Sequence, residues 1–186
     1  MSTEVHSVEQ VADDVARLRL LPTKPFAYRP GQYVDVLHTD GAARSYSLAS
    51  LPTDGVLELH VRRLPKGHVS GWLHERQPGD TITVRGPFGQ CYYLPDPPTQ
   101  KLLLAGAGTG LAPLLGIVRD ALQQGHAGPI DLIHGGLRPE RLYLRQELRE
   151  LGHESRHTHP PAKPSASAGR SGQSVRLRAP SGSAIA

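Results

Sequence analysis

The seven residues Arg44-Ser45-Tyr46-Ser47-Leu48-Ala49-Ser50 set a cation, a phenol and three hydroxyls inside what otherwise has the pattern of a strand. Alternation along an extended chain sends Arg44, Tyr46 and Leu48 to one face and Ser45, Ser47 and Ala49 to the other. A ring beside a guanidinium and small hydroxyls suits a flat, anionic, hydrogen-bonding ligand. The same residues also suit a half-buried strand whose tyrosine lies in the core and whose arginine lays its stem along apolar surface. The neighbouring segments have to decide between the two.

Before this stretch, Glu4–Val11 and Val15–Leu21 alternate as strands joined at the polar turn Ala12-Asp13-Asp14, and Gln32–His38 alternates again after Pro30-Gly31. After it, Asp54-Gly55 opens Val56–Arg62 with strict period two, Gly67 precedes a short helix over Val69–Glu75, and Thr81–Val84 runs into Gly86-Pro87-Phe88-Gly89. About six short strands with turn signals every eight to twelve residues predict a small antiparallel barrel.

The character changes at the proline-dense Leu94–Pro98. Lys101–Ala105 is a continuous apolar run, as expected of a strand buried on both faces. Gly106-Ala107-Gly108-Thr109-Gly110 leads into a helix over Leu111–Gln124, Ile130–His134 is a second buried-type strand, and Pro139–Leu151 a second helix. This order calls for a parallel sheet with helices packed on it. The fold expected is therefore mixed β and α/β: a six-stranded antiparallel barrel over residues 1–98, then an incomplete parallel α/β unit over 99–151. From Gly152 the periodicity stops, and residues 152–186 are expected to be a disordered tail. Such an abrupt loss of pattern is what a frameshift or a truncated gene produces.

Charge sorts with these divisions. Residues 1–151 carry 16 Lys/Arg and 16 Asp/Glu, whereas the tail carries five basic residues against Glu154 alone. The body thus shows no electrostatic footprint for nucleic acid. No run is long enough to span a bilayer, and Met1-Ser2-Thr3-Glu4 opens no secretory signal, so neither membrane nor export is expected and the cytoplasm is the default. Cys91 stands alone, which excludes an internal disulfide, a cysteine-built zinc site and a cysteine-ligated cluster, and no activating partner marks it as a nucleophile. His153, His157 and His159 lack a fixed scaffold for a metal site.

Two further segments carry chemistry. A glycine-rich loop between a buried strand and a helix lets backbone approach a ligand, and the free N–H groups of the helix's first turn attract phosphate. Gly106–Pro113 has that context, although its spacing is not Gly-x-Gly-x-x-Gly. Gly67-His68-Val69-Ser70 is a second phosphate cradle or, equally, a plain helix cap.

Taken in order, these elements resemble the ferredoxin–NADP reductase family over residues 1 to about 151. The resemblance implies that Arg44-x-Tyr46-Ser47, with Ser45 between them, is the family's flavin signature: arginine on the flavin phosphate, tyrosine against the isoalloxazine, serine at its reactive edge. It places His60-Val61-Arg62 beside the ribityl and phosphate portion, and Gly67, Val69 and Ser70 at the pyrophosphate, which favours FAD over FMN. It makes Gly86–Gly89 the turn that closes the barrel. Gly106, Gly108, Thr109 and Gly110 become the nicotinamide-nucleotide loop, with Thr109 at the flavin–nicotinamide contact, and Arg138 reads the NAD(P) phosphates. Ser47 and Thr109 are the two residues expected beside the reacting atoms. The implied function is electron transfer from NAD(P)H through FAD to an iron–sulfur or haem partner, such as a ferredoxin, Rieske or other oxygenase component. A non-catalytic flavin-binding remnant and a basic-tailed interaction protein are the alternatives.

Overall fold

The computed structural model describes residues 1–154 and 172–178. Six strands, β1 (Ser2–Ala12), β2 (Val15–Pro22), β3 (Tyr33–Leu37), β4 (Ala43–Ser47), β5 (Leu57–Arg62) and β6 (Thr81–Phe88), form one antiparallel sheet in the order β4-β3-β6-β1-β2-β5. The sheet curls until its two edges meet. Just past β4, Leu48 bridges Leu59 of β5, and the Ala49 amide donates to the Glu58 carbonyl at 2.9 Å. Closure of this kind removes the exposed edges that an open sheet would carry. The alternating apolar positions Val5, Leu18, Leu20, Val34, Val36, Leu57, Leu59, Val61, Ile82 and Val84 fill the interior. Helix α1 (His68–His74) lies between β5 and β6 and contributes Val69 and Leu73 to the same core, with Trp72 packed against it. The six-stranded antiparallel barrel expected from turn spacing is present, and its strand order is that of a Greek key.

The second unit contains β7 (Leu102–Ala107), α2 (Leu111–Gln123), β8 (Pro129–Gly135), α3 (Arg145–Glu154) and β9 (Gly172–Arg178). β7 and β8 pair in parallel, as the βαβ order requires. Its core of Leu111, Leu115, Val118, Ile130, Leu132, Tyr143 and Leu148 also takes in Val15 and Tyr93 from the barrel side. Ion pairs reinforce this join. Arg17 bridges Glu9 at 2.6 Å and Glu147 of α3 at 2.8 Å, and Arg119 of α2 meets Asp54 at 2.9 Å.

Three features differ from the sequence expectation. The second sheet is one-sided: β7 and β8 alternate, with Leu103 65% exposed while Leu132 is 1% exposed. An apolar run is ambiguous between one and two covered faces, because hydrophobicity reports tolerance of burial rather than burial itself. The helix expected over Pro139–Leu151 is a 3₁₀ turn (Pro139–Arg141), an extended link and then α3, which continues to Glu154. Leu142 and Tyr143 are drawn into the core here, and Leu144 takes a left-handed φ of 54°. Part of the tail expected to be disordered is a strand. β9 runs antiparallel to β8 and sets Val175 and Leu177 opposite Leu132 and Ile130. Its short alternation, Val175 and Leu177 separated by Arg176, was hidden by the Ser/Pro/Gly-rich composition around it. The rest of the expected tail, 155–171 and 179–186, lies outside the described residues, as do His157 and His159.

Candidate functional site

The β3–β4 ladder pairs Val36 with Arg44, Val34 with Tyr46 and Asp35 with Ser45, so each pair shares a face. On the outer face Ser45 donates to Asp35 at 2.7 Å, and Arg85 meets the other Asp35 oxygen at 3.0 Å. On the inner face Tyr46 packs against the barrel core with Val34 and Val36. Burial raises the Tyr46 phenol above its ordinary range, and the nearby Arg44 charge opposes that rise. Arg44 itself is exposed and bonds only the carbonyl of Ala43, at 2.7 Å, with no carboxylate partner among the described residues. The barrel's other arginines contrast with it: Arg17, Arg19, Arg62, Arg63, Arg76 and Arg85 are ion-paired, and Arg29 lies over the Tyr92 ring at 4.0 Å. A free guanidinium beside a half-buried phenol is a site for an anion carried on an aromatic body.

Two residues beyond Val36 on β3, His38 rests against His68 and Trp72, which brings the start of α1 to the Arg44 end of this ladder. There the backbone approaches closely. A β-carbon at Gly67 would collide with Ser70 Oγ and stand 2.7 Å from Leu64 Cβ, so only glycine keeps this turn. Ser70 Oγ donates to the Gly67 carbonyl at 3.1 Å and accepts from the Leu64 amide at 3.2 Å. Val69 is in the core. Arg44, Tyr46 and the Gly67–Ser70 turn thus lie on one side of the barrel. That cradle fits a flavin's phosphates and ring. Ser47 is half-buried and pairs with Tyr33.

His60 and Arg62 face the other way. Along β5, Leu57, Leu59 and Val61 point into the barrel, while Glu58, His60 and Arg62 alternate outward towards the second unit. Arg62 meets Asp14 at 3.1 Å, and Arg141 meets the same carboxylate oxygen at 2.6 Å. The His60 ring bonds Tyr143 through Nδ1 at 2.9 Å and Glu58 through Nε2 at 3.1 Å, and Glu58 also pairs with Arg19 at 2.9 Å. Burial works to raise the Glu58 carboxyl, but the His60 hydrogen bond and the His60 and Arg19 charges overcome it and hold the group down to about 2. Burial, reinforced by the Glu58 charge, pushes the Tyr143 phenol well up.

The nucleotide half begins where β7 ends. Gly108–Gly110 form a 3₁₀ turn that lies against β5 and opens α2. His134, at the end of β8, reaches back with Nε2 to the Gly108 carbonyl at 3.0 Å, and its Nδ1 is buried without a partner among the described residues. Burial lowers the pKa of this imidazole, so it holds the loop as a neutral donor. Its ring edge meets Tyr143 at 5.4 Å, which joins the loop to the His60–Glu58 network. Gly106 lies under the loop, close to the Gly110 carbonyl, and Thr109 is half-buried. Arg138 is exposed beyond β8, with no carboxylate partner among the described residues. Sequence reading missed Glu58, His134 and Tyr143. They sit in ordinary strand and linker positions, and the contacts that mark them, His134 to Gly108, Glu58 to Arg19 and Tyr143 to His60, span 26, 39 and 83 residues.

An antiparallel barrel with a cation–phenol strand and a glycine-turned helix, followed by a glycine loop on a parallel sheet, defines the class of flavin- and nicotinamide-dependent oxidoreductases. Residues 2–93 match the oxidoreductase FAD-binding domain model and residues 104–179 the oxidoreductase NAD-binding domain model. The chain belongs to the ferredoxin–NADP reductase family.

The reductase component of the naphthalene 1,2-dioxygenase system of Pseudomonas putida is 40% identical over 148 residues, which cover 79% of this chain and 45% of the relative. The corresponding component of the naphthalene 1,2-dioxygenase/salicylate 5-hydroxylase systems of a Ralstonia species is 38% identical, with the same coverage. Among solved structures, the Amycolatopsis cytochrome P450 reductase GcoB superposes with a TM-score of 0.76 at 38% identity, covering 82% of this chain and 48% of that one. The chain spans about half the length of the curated relatives it matches. No helix among the described residues is long and apolar enough to cross a membrane.

Proposed function

We propose that this chain binds FAD on its barrel and NAD(P)H at its glycine loop, and that it serves as the reductase component of a cytoplasmic oxygenase system. The observation that carries the reading is the unpaired Arg44 beside Tyr46, on the same side of the barrel as the Gly67–Ser70 turn. Arg44 neutralises flavin phosphate, Tyr46 packs on the ring, Ser47 lies at its edge, and Gly67, Val69 and Ser70 hold the pyrophosphate. Ser45 orients this strand through Asp35, and His60-Val61-Arg62 contribute the position of β5, since their side chains are committed elsewhere. Gly106, Gly108, Thr109 and Gly110 receive the nicotinamide nucleotide, with Arg138 on its phosphates. The flavin domain extends to residue 98 and the nucleotide domain follows it. A flavin held there would supply hydride acceptance from NAD(P)H and release of single electrons, while these residues supply binding and orientation. The acceptor is a ferredoxin, a Rieske protein or another oxygenase component.

Purified protein reconstituted with FAD should be yellow, and anaerobic NADH or NADPH should bleach it. Arg44→Ala should weaken FAD binding by about 2 kcal/mol, roughly thirtyfold, as befits a charge-assisted hydrogen bond. Its thermal midpoint should barely move, because Arg44 is exposed. Equal FAD affinity in the variant would sink the assignment of Arg44. Stable colour without bleaching would instead support a flavin-binding remnant, the reading favoured by the edge position of β7 among the described strands and by its exposed face.

A further inference from the structure

At the tip of the β3–β4 hairpin, His38, Asp40 and His68 bring two imidazoles and a carboxylate together. Their ligand atoms all lie within 4.8 Å of one another. His38 Nδ1 stands 2.7 Å from one Asp40 oxygen, His68 Nε2 2.8 Å from the other, and the two ring nitrogens are 3.2 Å apart. We propose that these three residues form a binding site for a divalent transition-metal ion of the zinc type, with solvent completing its coordination.

Donor chemistry and preorganisation both support this. Imidazole and carboxylate are the set that zinc accepts alongside thiolate, at about 2.0–2.2 Å each, and three protein donors plus water make a four-coordinate site. Donors around such an ion are separated by distances close to those found here, so the side chains need open only slightly. Two donors are already fixed. The turn is closed by the His38 amide on the Ala42 carbonyl at 2.8 Å and the Gly41 amide on the His38 carbonyl at 3.0 Å. Asp40 Oδ1 accepts from the Ala42 amide at 2.9 Å, which aims the carboxylate, and the Trp72 ring stands edge-on to His38 at 4.9 Å between centroids. His68 comes from α1, outside the turn, so binding an ion ties the hairpin to the helix. His68 lies within the Gly67–Ser70 turn that the flavin reading uses, so the metal is titrated into flavin-free protein and FAD affinity is measured separately, which keeps failure of the metal site distinguishable from failure of the flavin reading.

The test is calorimetric titration of EDTA-treated full-length protein with Zn²⁺, alongside thermal melting with and without the ion. The expected result is one equivalent bound and a raised midpoint. His68→Ala and Asp40→Asn should each weaken binding at least tenfold and abolish the shift. His68 is 62% exposed and the Asn side chain retains the turn's acceptor, so both variants should fold. A third variant, His153→Ala/His157→Ala/His159→Ala, should bind as the wild type does. Binding unchanged by His68→Ala and Asp40→Asn, binding lost only in the His153/His157/His159 variant, or less than one equivalent bound would each overturn the site.

Discussion

Glu58 shows how much one side chain can hold when it is buried with the right neighbours. Its carboxylate is shared between Arg19 and His60, and His60 passes the connection on to Tyr143 across the domain join. A carboxyl held at about 2 when folded, against 4.5 ordinarily, stabilises the fold fully above about pH 5. That stabilisation is lost as pH falls from 4.5 towards 2, because the unfolded chain takes up its proton first. The depression corresponds to about 3 kcal/mol. Urea denaturation of wild type and Glu58→Gln at pH 7, 5, 4 and 3 checks it. The wild-type advantage should be greatest at pH 7 and 5 and shrink steadily below. A constant difference across this range would mean that Glu58 acts by packing alone. Nothing in the sequence marks this residue. Arg44 was legible because its function is local, carried by Tyr46 and Ser47 next to it, whereas Glu58 takes its meaning from groups that only folding brings near.

Elements were legible to the extent that periodicity alone decides them. Every barrel strand was visible, since one side of each strand faces the core and alternation marks it, even though β1 carries register shifts between Val5 and Ser7 and between Gln10 and Ala12. The link before α3 was not, because the pull of Tyr143 towards His60 breaks a helical pattern that the sequence itself supports. Helix α2 illustrates how tertiary contact overrides propensity. Gly116 lies mid-helix, where alanine would ordinarily gain about 1 kcal/mol. A β-carbon there would stand 2.9 Å from the Leu48 carbonyl and 3.3 Å from the Gly31 amide, both backbone atoms of the barrel. Gly71 in α1 has nothing within 4 Å of the same position. The same substitution should therefore have opposite signs. Gly71→Ala should stabilise by about 0.5–1 kcal/mol, and Gly116→Ala should destabilise by about 1–2 kcal/mol because relief needs the two domains to part. Thermal melts of the two variants decide it. A stabilised Gly116→Ala would show that α2 is not seated on the barrel at Leu48.

For the molecule as a whole, the two units are unequally finished. The barrel closes on itself through Leu48 and Leu59, whereas the second sheet has one packed face, with β7 at its edge. The sequence could not distinguish these cases, because Leu103 and Leu132 both sit in short, mainly apolar segments. Burial separates them: Leu132 lies under the helices at 1% exposure, and Leu103 is on the bare face at 65%. Truncating Leu132 to alanine should cost about 2–5 kcal/mol, for the lost transfer energy and the cavity left behind. Leu103→Lys should change stability by no more than about 0.5 kcal/mol, because it gives up little burial. It should also raise the concentration at which the protein stays monodisperse, since lysine on an edge strand discourages strand-to-strand pairing. Urea titration and light scattering on both variants check the pair. If Leu103→Lys proved as costly as Leu132→Ala, the face bearing Leu103 and Ile133 would be covered in solution, and the second sheet would be two-sided after all.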